Sequence, residues 1–144
     1  MSIWHSPEID LDALTSLGDA SMPGHLGIAF TGRGEDWLEA TMPVDRRTHQ
    51  PFGRLHGGAS VVLAETVASM AGAMTVDPAD KVVVGLEINA NHLRPVRDGL
   101  VTARASAEAI GRTTQVWTIR VMDEREKLVC LSRITLAVIP TARA

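Results

Sequence analysis

One long apolar segment limits what this chain can fold into. Residues 55–76 read LHGGASVVLAETVASMAGAMTV and contain one formally charged side chain, that of Glu65. Apolar residues recur every three or four positions from Leu63 to Met74, so the segment predicts a helix from about His56 to Thr75. A helix that is apolar on almost every face must be enclosed by protein or by lipid. The central carboxylate and the many Ala, Gly and Ser residues favour the interior of a soluble protein over a membrane span.

Strand patterns on both sides of this helix indicate what encloses it. A short helix at 10–18 and two strands precede it, and four strands follow it, at 27–31, 37–42, 82–93, 100–110, 113–122 and 128–140. Polar turns such as GRGED and DEREK join neighbouring strands directly, which is typical of an antiparallel sheet. The sequence therefore predicts an α+β fold in which one antiparallel sheet wraps around one long central helix. In the strand at 82–93, the alternation predicts one face with Val82, Val84, Leu86, Ile88 and Ala90.

Composition excludes several classes of protein. The 144 residues contain no repeat or linker, so we expect a single domain over 1–144. The net charge is −3 and no basic stripe is present, so nothing favours binding to nucleic acid. The N-terminus lacks the pattern of a secretory signal, so we expect a cytoplasmic protein. Cys130 is the only cysteine and lies in an apolar pattern, so we expect a packed thiol; no Cys/His cluster has the spacing of a metal site.

The start of the long helix and its carboxylate together indicate hydrolytic chemistry. Gly57 and Gly58 leave backbone N–H donors at the positive end of the helix dipole, where a developing oxyanion would be stabilised. Glu65 would attack a carbonyl or remove a proton from water. Eight residues separate Gly57 from Glu65, about 12 Å along the axis, so the two cannot readily act on one bond within one helix. An antiparallel helix of a second subunit would bring them together in a symmetric dimer. Small residues on the Glu65 face leave room for that helix: Ala68, Ser69 and Gly72.

Three polar residues around this segment each allow two interpretations. His56 would polarise a bound carbonyl or cap the helix. Gln50 would donate through its amide or lie exposed in a loop. Ser69, one turn beyond Glu65, would bind that carboxylate or bond back to its own helix.

Residues after the helix are also ambiguous. His92 shares the parity of Ile88 and Ala90, which is typical of a core histidine with a hydrogen-bond partner. Arg94 and Arg112 suit phosphate groups, although an exposed arginine is often only solvated. Glu87 and Asn89 are expected on the opposite face of their strand.

The stretches QPFGRLHGGASVVLAETVASMAG and VVGLEINANHLRPVRDG resemble the hotdog-fold acyl-CoA thioesterases. Within that family they are most similar to the 4-hydroxybenzoyl-CoA/PaaI-type branch, and in it to the thioesterases of menaquinone and enterobactin synthesis. The resemblance implies that Glu65 is the nucleophile or general base and that the Gly57 N–H holds the thioester oxygen. It implies that Gln50 and His56 line the thioester and that Ser69 assists. It also implies that coenzyme A or the acyl group contacts a second set: Gly85, His92, Arg94, Gly111, Arg112 and Thr113.

This resemblance implies a hydrolase that cleaves an acyl-CoA thioester, with an aromatic or otherwise bulky acyl group. It implies a homodimer with shared sites or a dimer of dimers, and no metal or organic cofactor. A proofreading thioesterase that clears misacylated carrier protein is an alternative, because arginines near the pocket suit either leaving group. A non-catalytic acyl-CoA-binding module is another. A regulator of that kind would need an output domain, and the roughly twenty residues before the first strand are too few for a DNA-binding unit.

Overall fold

Six antiparallel strands and one long helix make up most of this protein. The computed structural model describes residues 1–143, so Ala144, the last residue of the expected domain, lies outside the described residues. The elements in chain order are α1 (Leu11–Leu17), α2 (Met22–His25), β1 (Ala29–Arg33), β2 (Trp37–Pro43), α3 (Gly57–Met74), β3 (Lys81–His92), β4 (Leu100–Ile110), β5 (Thr114–Met122), β6 (Leu128–Pro140) and a final 3₁₀ turn (Thr141–Arg143). Every predicted helix and strand is present, with bounds shifted by a few residues at most.

The strands form a single sheet in the order β1-β2-β4-β5-β6-β3, and all neighbours are antiparallel. Helix α3 packs mainly against β2, β3, β4, β5 and β6. Strand β3 follows α3 directly in the chain, yet among residues 1–143 it pairs only with β6, and it forms one edge of the sheet. This is the α+β hotdog fold expected from the sequence.

The core lies between α3 and the inner face of the sheet. On the helix, Leu63 and Val67 are completely buried, and Trp117 is the largest fully buried side chain on the strands. Burying a side chain such as Leu63 stabilises the fold by about 1.5–3 kcal/mol. By length and hydropathy, α3 is also the one helix among residues 1–143 that could cross a membrane. Its contacts with its own sheet account for its apolar character, as expected for a core helix.

The small residues near Glu65 do not all lie where the sequence predicted. Ala68 is completely buried, and Gly72 is also buried against the sheet of its own chain. A Cβ built on Gly72 would lie 2.5 Å from Leu136 Cδ1. The prediction that Ala68 and Gly72 leave room for a second helix is therefore wrong; they let α3 approach its own sheet instead. Only Ser69 of that set remains partly open.

A bulge in β3 also overturns the predicted face of that strand. The register with β6 shifts between Gly85 and Glu87, so Leu86 is an extra residue without a direct partner. Val84 and Leu86 are consequently exposed, at 42% and 61%. Before the bulge the inward positions are Val83 and Gly85, opposite buried residues of β6, and after it they are Ile88, Ala90 and His92.

The outward position of Glu87 and Asn89 is confirmed. Both side chains are exposed, and Asn89 Nδ2 donates to Glu87 Oε1 over 3.0 Å.

A buried polar network ties the sheet to the end of α3. The carboxamide of Gln115, which is 1% exposed, accepts from Trp117 Nε1 over 2.9 Å and donates to Thr75 Oγ1 over 2.8 Å. Thr75 in turn donates to the carbonyl of Gly72 over 2.7 Å. Every polar side-chain atom of this network therefore has a partner, which a buried polar group requires.

Candidate active site

The first turn of α3 leaves one backbone donor open. His56 is the N-cap, and its Nδ1 accepts from the backbone N–H of Gly58 over 2.8 Å. The N–H groups of Ala59 and Ser60 donate to the carbonyl of His56. Within the described chain, the N–H of Gly57 has no such partner. The sequence predicted two open glycine donors, and the structure leaves only that of Gly57.

The capping bond also fixes what the outer side of His56 can do. Because Nδ1 accepts a hydrogen bond, a neutral ring carries its proton on Nε2. The helix-capping interpretation of His56 is therefore confirmed, and an Nε2–H donor remains on the exposed side of the ring. His56 can therefore cap the helix and also polarise a carbonyl, although the sequence analysis gave these two roles as alternatives.

The amide of Gln50 is oriented in a similar way. Its Oε1 accepts from the backbone N–H of Phe52, which leaves the amide nitrogen as the outward donor. The backbone of Gln50 is held as well, since its N–H donates to the carbonyl of Arg54 over 2.7 Å. The sequence gave no signal for the contact with Phe52, because the fold of this loop determines it.

Gly57 and Gln50 border an open recess of about 420 Å³ at the start of α3, and His56 is not among its lining residues. Gln50, Gly57, Ser60, His92 and Arg94 are among the residues that line it. A Cβ built on Gly57 would lie 2.9 Å from His92 Nε2, so the absence of a side chain there is required for the close approach. His92 is exposed, at the end of β3 opposite Cys130, so the prediction of a core histidine is wrong.

Glu65 lies in a different part of the protein. Its side chain is half-buried, and its Oε1 lies 3.1 Å from the position of a Cβ built on Gly85. It makes no hydrogen bond or ion pair with any residue in 1–143. It borders an open groove that also includes Ser69, Thr66 and Pro23. The Ser69 hydroxyl bonds neither to Glu65 nor to the helix backbone within that range, so neither predicted bond is present.

The candidate residues thus divide into two groups within one chain. Gly57 approaches His92, whereas Glu65 approaches Gly85, seven residues earlier on β3. Along α3 the two groups are about 12 Å apart. A single chain therefore holds the carboxylate and the open N–H at separate positions.

The hairpin between β4 and β5 forms a third group, with Gly111, Arg112 and Thr113. It lies at the end of the sheet where Thr114 pairs with Ala137, whereas His92 pairs with Cys130 at the other end. Seven residues of β6 separate those two positions, which is about 23 Å. Within one chain the structure does not bring Arg112 to the recess with Arg94.

Neither Cys130 nor a metal-binding cluster within residues 1–143 forms part of the candidate site. Cys130 is completely buried, and burial raises the pKa of its thiol, so the expected packed thiol is confirmed. Over residues 1–143, no group of three or more His, Cys, Asp or Glu side chains is arranged to hold a metal ion.

Sequence reasoning missed a small apolar cavity beside the groove. The cavity measures about 120 Å³ and lies between α1, α2, β1 and α3. It shares Pro23 and Thr66 with the groove that Glu65 borders. Leu14, Ile28 and Phe30 supply part of its apolar wall. No spacing in the sequence relates those N-terminal residues to the helix.

Known proteins resemble this chain over nearly its whole length. Residues 52–130 match the family model described as "Thioesterase superfamily". The 1,4-dihydroxy-2-naphthoyl-CoA hydrolase of Escherichia coli is 51% identical over 95% of this chain and 99% of that protein. The proofreading thioesterase EntH of Cronobacter sakazakii is 47% identical over 95% of this chain and 98% of that protein. A thioesterase of Pseudomonas aeruginosa, solved as a mutant, superimposes with a TM-score of 0.94 at 50% identity, covering 96% of this chain and 99% of that one. The core helix α3 carries an unpaired carboxylate and has an open N–H at its start. Together with these matches, they identify the chain as a member of the thioesterase superfamily and a thioester hydrolase.

Proposed function

We propose that this protein hydrolyses the thioester of an aromatic acyl-CoA at two equivalent sites, each shared between the subunits of a homodimer. The observation that most supports this proposal is the different state of the two glycine N–H groups. The Gly58 N–H donates to His56 Nδ1, whereas the Gly57 N–H remains open at the border of a recess. An open donor at a helix start suits the oxygen of a thioester, which becomes negatively charged during hydrolysis.

The chemistry follows from the groups on either side of that oxygen. The thioester carbonyl accepts from the Gly57 N–H, and the Gln50 amide and His56 Nε2–H are the neighbouring donors. Glu65 of the other subunit removes a proton from water, and the resulting hydroxide attacks the carbonyl carbon. The C–S bond breaks, the free acid forms, and the leaving thiolate takes up the proton. Direct attack by Glu65, followed by hydrolysis of the mixed anhydride, gives the same products.

The open edge of β3 supports the proposed dimer. This strand has twelve residues, no partner on its outer side among residues 1–143, and exposed Val84 and Leu86. Such an edge pairs readily with another strand. Antiparallel pairing with β3 of a second copy would lay the two α3 helices side by side and antiparallel, across a two-fold axis. Glu65 of each subunit would then approach Gly57 of the other. A dimer of dimers is the further assembly that we propose.

The cavity beside Glu65 supports an aromatic acyl group. An apolar cavity of about 150 Å³ is large enough to bind benzene. The cavity here, of about 120 Å³, is slightly smaller and shares Pro23 and Thr66 with the groove of Glu65. We propose that one ring of the acyl group enters it. A two-ring acyl group would extend into the groove.

The names of the relatives indicate which substrates to test first. The E. coli relative is a 1,4-dihydroxy-2-naphthoyl-CoA hydrolase, so that thioester, which belongs to menaquinone synthesis, is the first candidate. The proofreading thioesterase suggests acylated carrier protein as the second. We further propose a single domain over 1–144, a cytoplasmic location, and activity without metal or organic cofactor.

A steady-state panel with Glu65→Gln tests the proposal. The panel contains naphthoyl, benzoyl and long aliphatic CoA thioesters and a benzoylated carrier protein. We expect the aromatic CoA thioesters to have the highest kcat/KM. Glu65→Gln keeps the side-chain volume but removes the base, so kcat should fall by about 10²–10⁴-fold with little change in KM. Glu8→Gln, at an exposed position near the N-terminus, is the matched control.

Two results would contradict the proposal. Retention of more than half of kcat in Glu65→Gln would exclude Glu65 as base or nucleophile. Tight binding of acyl-CoA without turnover of any thioester would instead support a binding module.

A further inference from the structure

The backbone of β3 forms one wall beside the Glu65 carboxylate. A Cβ built on Gly85 would lie 3.1 Å from Glu65 Oε1. Apart from Gly85 itself and its two neighbours in the chain, no other atom of residues 1–143 lies within 4 Å of that Cβ position. A side chain at residue 85 would therefore meet the carboxylate and nothing else. Glycine leaves this space to Glu65, because it has no Cβ.

Packing restrains this carboxylate, since it has no polar partner. Glu65 takes part in no ion pair between described residues and makes no hydrogen bond with any residue in 1–143. Its side chain has several rotatable bonds, each with more than one staggered position. The groove that it borders has no other charged residue among those that line it. Contact with the backbone of β3 therefore limits where the carboxylate can lie.

The bulge at Leu86 determines which residues of β3 face the same side as Glu65. The register with β6 gives β3 one extra residue between Gly85 and Glu87. In a regular strand, alternation from Gly85 would turn Glu87 toward α3. Because of the extra residue, Ile88 takes the inward position, and Glu87 is exposed on the outer face. The bulge thus keeps a second carboxylate away from Glu65, and neighbouring carboxylates oppose each other's ionisation.

We propose that the bulge at Leu86 and the backbone of Gly85 position the Glu65 carboxylate for hydrolysis. Gly85 is then a positioning residue, which acts through Glu65 and does not touch the substrate. This inference rests on the proposed function, since it concerns the same carboxylate. The resemblance described above instead implied that Gly85 contacts coenzyme A or the acyl group. The two roles predict different kinetics.

Gly85→Ala tests the inference, because it adds one methyl group beside the carboxylate. The variant should fold, since Gly85 is exposed and is not among the glycines with positive φ. An ordinary contact between heavy atoms is about 3.5 Å, so a Cβ at 3.1 Å would displace the carboxylate by some tenths of an ångström. We expect kcat to fall about tenfold with KM within about twofold, because a displaced base weakens the chemical step more than substrate binding.

Gly32→Ala is the matched control. Gly32 lies in β1, the strand at the other edge of the sheet, and it also adjoins a bulge. A Cβ built on it would lie 3.4 Å from Glu39 Oε1, and Glu39 is not among the residues that line the groove of Glu65. The control thus adds the same methyl group beside a carboxylate outside the site. Both kcat and KM should stay within about twofold of the wild type.

Two further measurements separate positioning from a general effect on the fold. In the Glu65→Gln background, Gly85→Ala should lower kcat by less than about twofold, because the group that it displaces is already absent. Crystal structures of the wild type and Gly85→Ala should show the Glu65 carboxyl group moved away from β3, while the backbones of α3 and β3 keep their positions. The crystallographic comparison does not depend on turnover, so it tests the inference even if the proposed function fails.

Four outcomes would overturn the inference. If Gly85→Ala keeps more than half of kcat, the space beside Glu65 is not needed. A raised KM at unchanged kcat would assign Gly85 to a contact with the substrate. An equal loss of kcat in the wild-type and Glu65→Gln backgrounds would indicate a disturbed fold. In the crystals, a carboxyl group that stays in place while the strand moves would show that β3 does not restrain it.

Discussion

A mixed dimer tests whether the active site is shared between subunits. One variant, Glu65→Gln, lacks the carboxylate. The other combines Gln50→Ala with His56→Ser and lacks the two side-chain donors, while serine still caps the helix. Each homodimer carries its lesion at both sites. We expect both homodimers to be at least about 10²-fold less active than the wild type.

The expected activity of the mixed dimer follows from the separation of the two groups. Glu65 lies beside Gly85, and Gly57 lies beside His92, so one chain does not bring carboxylate and donors to one bond. If each site combines Glu65 of one subunit with the donors of the other, the mixed dimer has one site with every lesion and one intact site. It should then recover about half of the wild-type activity per dimer, as the two-fold symmetry requires. If each site lies within one chain, both sites carry a lesion and nothing is recovered.

The assay uses co-expressed subunits with two different affinity tags, purified in sequence so that only mixed dimers remain. Hydrolysis of the best acyl-CoA is then measured per dimer. A mixed dimer of wild type and Glu65→Gln is the control, and it should keep about half of the activity under either arrangement. If that control is active while the two-variant dimer is no better than its parents, the shared site is refuted.

Two further predictions concern the packing of α3. Gly57→Ala would put a methyl group within 2.9 Å of His92 Nε2 and beside the open N–H, so kcat/KM should fall by about 10²-fold while Tm changes little. If His92→Ala in the same chain restores activity, the loss comes from the displaced imidazole and not from a blocked N–H. Gln115→Leu would leave the buried Trp117 indole N–H without its acceptor, so urea denaturation should show a loss of about 1–3 kcal/mol in unfolding free energy, with kcat/KM unchanged. In the double variant with Trp117→Phe the loss should be smaller than the sum of the two single losses, and a double variant as unstable as that sum would show that the bond does not matter.

The order and type of the elements could be predicted because they depend on local patterns. The apolar run predicted α3, and the strand predicted at 100–110 is β4. In β4, Val101, Ala103 and Ala105 alternate along the strand and are completely buried on one face. The bulge at Leu86 could not be predicted, because the extra residue belongs to the register with β6, about fifty positions later in the chain. Alternation was therefore correct on each side of the bulge and wrong across it.

For the candidate site, the residue types were easier to predict than their surroundings. The isolation of Glu65 was visible as a lone charge in an apolar run. The orientation of Gln50 was not, because it depends on one backbone N–H in a loop. The burial of Gln115 was not visible either, since a polar residue at a strand start is usually exposed, and only the approach of Thr75 from the end of α3 provides a partner. Such contacts join distant segments and leave no periodic signal.

The position of β3 in the sheet has a consequence for synthesis on the ribosome. This strand is made immediately after α3, yet its one partner within residues 1–143 is β6, the last strand of the chain. Until Pro140 has left the exit tunnel, β3 has no neighbour to pair with, and the apolar faces of α3 are only partly covered. Contacts between segments so far apart form late, and exposed apolar surface favours aggregation in the meantime. The pairing of β3 within residues 1–143 can therefore form only after β6 has emerged.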